Sequence, residues 1–124
     1  MIKITKIAII GLGQVGNYLY RELNLKKKDI EAKTEKKIQI VAISAKNKNK
    51  KRKYKIDKNI FYSDPIKIIK DIKPDVLYEV IGQSDGISKK VVENALKNKI
   101  HVITPNKALI SKHGDYLGKL AEDN

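Results

Sequence analysis

The segment G-L-G-Q-V-G at residues 11–16 directly follows a short apolar run, residues 6–10, and opens a stretch with apolar residues at helical spacing. Glycine at the first position permits a sharp turn out of a strand. At the second it leaves bare backbone beside a phosphate, and at the third it lets the helix pack closely. The segment therefore predicts a pyrophosphate-binding turn made by Gly11, Gly13, Gln14, Val15 and Gly16, with a ligand-free structural turn as the alternative.

The rest of the chain alternates between strand and helix patterns. Apolar runs at residues 38–43, 75–81 and 100–103 predict strands, and spaced apolar residues following positions 65, 87 and 106 predict helices. Asp64 and Pro65 are suited to begin the first of these helices, and Gly114 is expected to bend or interrupt the last. This alternation predicts an α/β fold, a Rossmann-type doubly wound parallel sheet forming a single domain over residues 1–124.

Two charged segments are predicted to lie outside regular structure. Residues 26–37 indicate the frayed end of the first helix followed by a solvated loop. Residues 45–59 are rich in Lys and Arg and lack apolar periodicity, which is typical of a surface loop.

Composition limits the kinds of site and partner. The 124 residues include no Cys and two His, so disulfides and thiol catalysis are excluded and no metal site is expected. The sequence contains no apparent secretory signal or membrane span, so a cytoplasmic location without a membrane partner is expected. The net charge of +13 raises nucleic-acid binding as a possibility, but the scattered lysines and few aromatic residues argue against it.

The end of the second predicted strand bears on the choice of cofactor. NAD-selective domains place a carboxylate there for the ribose 2′-hydroxyl, whereas the first acidic residue after this strand is Asp57. Ser44, Lys46 and Arg52 could instead bind a 2′-phosphate. The sequence thus predicts a preference for NADP(H), with NAD(H) as the alternative cofactor. The alternative interpretation of the basic residues is that they form a solvated loop that binds no ligand.

The later strand ends carry a family resemblance. Residues 75–82 read D-V-L-Y-E-V-I-G, and residues 102–109 read V-I-T-P-N-K-A-L, with H-G following at 113–114. Together with G-L-G-Q-V-G and I-Q-I-V-A-I in the same order, these segments resemble the NAD(P)-binding domain of homoserine dehydrogenases over essentially the whole chain. T-P-N-K-A-L is the most specific segment. The alternatives are the cofactor domain of another NADP-dependent oxidoreductase of amino-acid biosynthesis, or a stand-alone nucleotide-sensing or nucleic-acid-binding module.

The resemblance implies an activity and roles for four residues. The family interconverts L-homoserine and L-aspartate 4-semialdehyde with NAD(P), in threonine and methionine biosynthesis. Lys107 would be the catalytic lysine, because an ammonium can stabilise or protonate the alkoxide that hydride transfer produces. It would also lie beside the nicotinamide of the cofactor. Thr104 and Asn106 would shape this site and Gly82 would line it, while Glu79 is interpreted either as part of it or as a carboxylate bonded within the sheet.

The resemblance also implies a missing part. The family's second domain carries the acidic residues that bind homoserine, another catalytic lysine and the oligomer interface, and nothing in these 124 residues corresponds to it. The chain alone is therefore expected to bind the dinucleotide and to turn over little or no homoserine.

Overall fold

Parallel strands form one sheet in the structure, a computed structural model that describes residues 3–81 and 86–124. In these residues the strands are β1 (Lys3–Ile10), β2 (Lys36–Ser44), β3 (Phe61–Tyr62), β4 (Val76–Glu79) and β5 (His101–Ile103). Their order across the sheet is β3-β2-β1-β4-β5, so β1 is central and the strand order reverses on either side of it. This order matches the first five strands of a Rossmann sheet, with β1 beside the switch point where such folds bind ligands.

Helices connect the strands. Within the described residues they are α1 (Gln14–Thr34), α2 (Pro65–Lys67, continued by a π-helical segment, Ile68–Ile72), α3 (Ile87–Lys97) and α4 (Lys107–Asp123), with a single 3-10 turn at Lys58–Ile60. As predicted, Asp64 caps α2, since its Oδ1 accepts a hydrogen bond of 2.9 Å from the Ile66 N–H.

The core has a layer on each face of the sheet. On one face Ile9 and Ile43 pack with Tyr20 of α1. On the other face Ala8 and Leu77 belong to a cluster completed by apolar residues of α2, its π-helical continuation and α3. Helices thus cover both faces, and the predicted doubly wound α/β fold is confirmed.

The register at the carboxyl end of the sheet determines where a site can form. Ile10, the last residue of β1, lies opposite Ser44 of β2 and also opposite Glu79 of β4. The glycine turn that follows Ile10 therefore emerges between two polar residues, one on each neighbouring strand.

Two predictions about regular structure are wrong, and one short strand was missed. Residues 26–34 are helical, because their Lys, Glu and Ala residues favour a helix and α1 continues through them to Thr34. The segment 45–59 is irregular as predicted up to the 3-10 turn that begins at Lys58, but the short strand β3 that follows was not predicted. Finally, α4 runs through Gly114 without interruption, since burial of Leu109 and Leu117 outweighs the modest cost of one glycine.

The helices described here include none that is long and apolar enough to cross a lipid bilayer.

Candidate dinucleotide site

The glycine turn is packed against its neighbours at two of its three glycines. Gly11 has φ of +107°, and a Cβ there would lie 2.8 Å from the Val80 carbonyl carbon. At Gly16 a Cβ would lie 1.9 Å from the Gly11 carbonyl oxygen, so α1 can approach the turn this closely only without a side chain. The turn is also tied to β2 by a hydrogen bond of 2.8 Å from the Gly11 N–H to the Ser44 carbonyl.

Gly13 is different because it faces open space. A Cβ at this position would meet no atom within 4 Å. Gly13 is also the N-cap of α1, which begins with no side-chain cap and no acidic residue in its first turn. The first helical bond runs from the Asn17 N–H to the Gly13 carbonyl at 2.9 Å, so the preceding N–H groups point out of the helix end. Bare backbone at the positive end of a 21-residue helix is suited to a pyrophosphate.

A cleft of about 780 Å³ opens between the ends of β1 and β2, and we call it the β2 cleft. Five of the predicted cofactor-binding residues line it: Gly11, Gly13, Ser44, Lys46 and Arg52. The remaining walls come from Asn47 and Lys50 of the basic segment, residues 63–65 at the start of α2, and the apolar residues Ile10, Leu12, Ala45, Val80, Ile81 and Ile87. The cleft therefore combines apolar surface, suited to an adenine ring, with three cationic side chains.

Arg52 holds the basic segment against the glycine turn. Its Nε donates to the Leu12 carbonyl at 3.3 Å, and its terminal nitrogens donate to the carbonyls of Asn47, Lys48 and Lys50 at 2.6, 3.3 and 3.1 Å. The guanidinium is thus largely occupied by main-chain carbonyls, although it was predicted as a phosphate ligand. It fixes the path of the segment that carries Lys46 and Lys50 into the β2 cleft.

A second tie joins the same segment to α1. Asn17 is buried, and its side chain donates to the Tyr54 carbonyl and accepts from the Tyr54 N–H, both at 2.9 Å. Arg21 of α1 stacks on the Tyr54 ring, 4.6 Å from its centroid. These contacts fold the basic segment back over the start of α1.

A smaller pocket of about 300 Å³ lies on the other side of the glycine turn, and we call it the β4 pocket. It is lined by Gly13, Gln14, Val15, Glu79, Val80, Ile81, Pro105 and Asn106. Gly13 thus borders both the β2 cleft and the β4 pocket. A dinucleotide crossing Gly13 would place one nucleotide on each side of it.

The residues after β5 are organised by Glu79, whose side chain is fully buried. Its Oε1 accepts from the Thr104 hydroxyl at 2.8 Å and from the Asn106 amide at 3.3 Å, and its Oε2 accepts from the Ile81 N–H at 2.8 Å. Asn106 in turn caps α4, since its Oδ1 accepts from the Leu109 N–H at 3.0 Å. Lys107, the first residue of α4, directly follows Asn106 and is exposed, but it is not among the residues that line the β4 pocket.

The predicted site residues therefore fall into distinct positions. The β2 cleft is bordered by Gly11, Ser44, Lys46 and Arg52. The β4 pocket is bordered by Gln14, Val15 and Asn106. Gly13 borders both. Gly16 packs beneath the turn, Thr104 donates a hydrogen bond to the pocket residue Glu79, and Lys107 follows Asn106 in sequence without lining either compartment. Gly82 lies outside the described residues.

Sequence reasoning missed two residues of the site and left the role of Glu79 open between two interpretations. Asn17 was hidden in a helical pattern, and Asp64 was assigned only as a helix cap although it also lines the β2 cleft. For Glu79 a signal was present, because a carboxylate in an otherwise apolar strand needs hydrogen-bond donors. Its partners could not be named before β4 and β5 were paired, with Tyr78 opposite Ile103.

Fold and site together define a dinucleotide-binding domain of the Rossmann type, with a bare, uncapped helix start at Gly13 and a compartment on each side of it. The family model described as "Homoserine dehydrogenase, NAD binding domain" matches residues 11–124. The chain belongs to the homoserine dehydrogenase family, as the NAD(P)-binding domain, and the predicted resemblance is confirmed.

Relatives agree with this assignment along the chain. Identity is 30% over 120 residues to homoserine dehydrogenase of Neisseria gonorrhoeae, covering 97% of this chain and 27% of that protein. It is 28% over 122 residues to the Bacillus subtilis enzyme, covering 98% and 28%. The crystal structure of Staphylococcus aureus homoserine dehydrogenase superposes with a TM-score of 0.89 at 35% identity, covering 98% of this chain and 31% of that one. The chain therefore spans less than a third of the length of these relatives.

Proposed function

We propose that this chain is the cofactor-binding part of a homoserine dehydrogenase and that it binds NADP(H) in preference to NAD(H). The observation that carries the proposal is the position of Gly13, a bare residue at the uncapped start of α1 that borders both compartments. The adenosine half of the cofactor fits the larger β2 cleft and the nicotinamide half the β4 pocket, next to Asn106 and Lys107.

The preference for NADP(H) is supported by the charges around the β2 cleft. Lys46, Lys50 and Arg52 line it, and Ser44 adds a hydroxyl at the end of β2. Among the residues that the structure describes, one carboxylate lines the cleft, that of Asp64, whose Oδ1 accepts a hydrogen bond from the Ile66 N–H. Three cations against one hydrogen-bonded carboxylate favour a ligand that carries an additional phosphate.

For the reaction we propose that the chain contributes Lys107 and the groups that position the nicotinamide. When bound, a nicotinamide dinucleotide accepts a hydride as homoserine is oxidised and donates one as the semialdehyde is reduced. The Lys107 ammonium would exchange a proton with the substrate oxygen or stabilise its negative charge. Thr104, Asn106 and Gly82 would shape the space in which the nicotinamide lies.

We further propose that residues 1–124 act as one cofactor domain, and that the homoserine site and the oligomer interface lie in the part of the family's length that this chain does not span. Under this proposal the isolated chain binds dinucleotide without appreciable turnover of homoserine.

The test is a calorimetric titration of the chain with NADPH and with NADH at matched salt. We expect binding of both, tighter for NADPH, and we expect Gly13→Ala to weaken both by at least about tenfold, or about 1.4 kcal/mol. Because a Cβ at Gly13 meets no protein atom within 4 Å, the variant should keep the melting temperature of the wild type.

Gly118→Ala in α4 is the matched control, since a Cβ there also meets nothing within 4 Å and the position is remote from both compartments. Absence of binding by the wild type, or unchanged affinity in Gly13→Ala, would contradict the proposed site. Tighter binding of NADH than of NADPH would overturn the cofactor preference alone.

A further inference from the structure

Glu79 is a buried carboxylate to which the proposed reaction assigns no part. It has no solvent-exposed surface, yet it accepts hydrogen bonds from Ile81, Thr104 and Asn106. An ionised carboxylate has only acceptor sites, and a buried one is stable only when such donors surround it. Two of these donors lie in the turn after β5, 25 and 27 residues from Glu79 in sequence, and the third lies directly after β4.

The hydrogen bonds continue from Glu79 to the start of α4. The Thr104 hydroxyl, which donates to Glu79, accepts from the Asn106 N–H at 3.0 Å. The Asn106 side chain donates to Glu79 through its amide nitrogen and accepts from the Leu109 N–H through its oxygen. Lys107 is the residue directly after Asn106, so the place where its side chain leaves the backbone is determined by this set of bonds.

We propose that Glu79 is a positioning residue for Lys107: by holding Thr104 and Asn106, it orients the first turn of α4 so that the lysine stands at the edge of the β4 pocket. This inference rests on the proposed function, in which Lys107 lies beside the nicotinamide. It assigns Glu79 no contact with the reacting atoms, because its bonding capacity is directed into the protein.

The alternative is that Glu79 only stabilises the fold, and the two roles predict different results. If the carboxylate only stabilises the fold, its replacement lowers the free energy of unfolding. The molecules that remain folded then keep the position of Lys107 unchanged. A positioning carboxylate, when replaced, leaves folded molecules in which α4 begins in several arrangements. If only about a tenth of these molecules keep the original arrangement, any property that depends on it falls by about tenfold.

The experiment compares the wild type with Glu79→Gln in the full 124-residue chain. Glutamine is nearly isosteric, but its amide nitrogen cannot accept. Where this nitrogen replaces Oε1 it faces the donors of Thr104 and Asn106, and where it replaces Oε2 it faces the Ile81 N–H, so at least one of the bonds described above is lost. Lysine acetylation is followed residue by residue by mass spectrometry, with and without saturating NADPH. The exposed Lys119 on the same helix serves as the internal reference.

In the wild type we expect NADPH to slow acetylation of Lys107 and to leave Lys119 unaffected. In Glu79→Gln we expect NADPH still to bind at Gly13, with the protection of Lys107 reduced by about tenfold. The matched control is Asp75→Asn, because the Asp75 carboxylate also accepts a main-chain N–H, that of Lys6 at 2.8 Å, but at the opposite end of the sheet. It should retain full protection.

Equal protection of Lys107 in Glu79→Gln, Thr104→Val and Asp75→Asn would overturn the inference, as would NADPH binding to the wild type without protection of Lys107. If the wild type does not bind NADPH, the proposed function fails instead. Should Glu79→Gln not fold, Thr104→Val decides the matter, because it removes the hydroxyl that links Glu79 to the Asn106 N–H and nearly preserves the side-chain volume. Loss of protection is then expected, and retention would overturn the inference.

Discussion

The two compartments on either side of Gly13 are built by different means. In the β2 cleft the cationic residues belong to an irregular segment, whose path is held by one guanidinium bonded to main-chain carbonyls. In the β4 pocket the residues lie at the ends of strands and before the start of a helix. One buried carboxylate there, Glu79, accepts hydrogen bonds from the Ile81 N–H, the Asn106 side chain and the neighbouring Thr104 hydroxyl. The cleft is more than twice as large, about 780 Å³ against about 300 Å³.

This difference indicates that the β2 cleft determines the affinity for the dinucleotide and that the β4 pocket determines the geometry at the nicotinamide. Affinity for an anionic group depends on the number of nearby charges and tolerates variation in their positions. Chemistry at a nicotinamide depends on geometry within a fraction of an ångström, so it needs side chains that packing and hydrogen bonds hold in place. Substitutions in the β2 cleft should therefore alter which dinucleotide binds and how tightly, and substitutions near the β4 pocket should alter turnover.

The largest expected effect follows from Lys107→Ala, measured in a protein that joins this chain to the rest of a homoserine dehydrogenase. We expect kcat for homoserine oxidation to fall by at least about 100-fold, because a group that exchanges a proton or stabilises an alkoxide is lost. The Kd for NADPH should stay within about twofold, since the pyrophosphate and adenosine contacts are unchanged.

Lys119→Ala provides the control for Lys107→Ala, because it removes an exposed lysine from the same helix away from the pocket. Unchanged turnover in Lys107→Ala would remove this lysine from the mechanism. An equal loss in both variants would mean that the charge of α4 matters and the position of Lys107 does not.

An intermediate effect is expected from Arg52→Lys. If Arg52 mainly holds the basic segment, lysine cannot replace it despite its equal charge, because an ammonium cannot bridge four carbonyls as the guanidinium fork does. We expect the NADPH affinity to fall by about tenfold, with a smaller loss for NADH, as the lysines of the segment move away from the 2′-phosphate.

Lys48→Gln is the matched control, because it removes one positive charge from the same segment at an exposed side chain that does not line the cleft. Full NADPH affinity in Arg52→Lys would show that the charge of Arg52, rather than its hydrogen bonds, accounts for its contribution.

Much of the fold could be predicted from the sequence, because its main signals are local. The glycine turn follows an apolar run and precedes a helical pattern, and the strand ends and helix starts after it are marked by residues such as Asp64 and Pro65. The length of α1 was underestimated, since a charged surface helix and a solvated loop have similar composition. The short β3 was missed, because two residues carry no periodicity.

The site could be predicted only as a set of residues, without the contacts among them. Arg52 was chosen for its charge, but the carbonyls that it binds depend on the path of an irregular segment, which no local pattern specifies. Asn17 and Tyr54 meet across 37 residues, and Glu79 meets Asn106 across 27. Such pairs arise from the crossover connections and the register of the sheet, which become known only when the chain is folded.

The smallest expected effect is that of removing the carboxylate of Asp64 from the β2 cleft, and it tests whether charge alone matters there. Asp64→Ala loses the cap of α2, which should lower the free energy of unfolding by about 1 kcal/mol. Asp64→Asn keeps an oxygen that can accept the Ile66 N–H, so it should be nearly as stable as the wild type while removing the negative charge. Both variants should bind NADPH about twofold to threefold more tightly and NADH with unchanged affinity, since an exposed carboxylate repels a 2′-phosphate weakly.

Asp57→Asn is the matched control, because Asp57 also accepts a main-chain N–H two residues ahead but does not line the cleft. If Asp57→Asn strengthened NADPH binding as much as Asp64→Asn, the gain in affinity would reflect the net charge of the whole chain. The proposal that the β2 cleft binds the 2′-phosphate would then be contradicted.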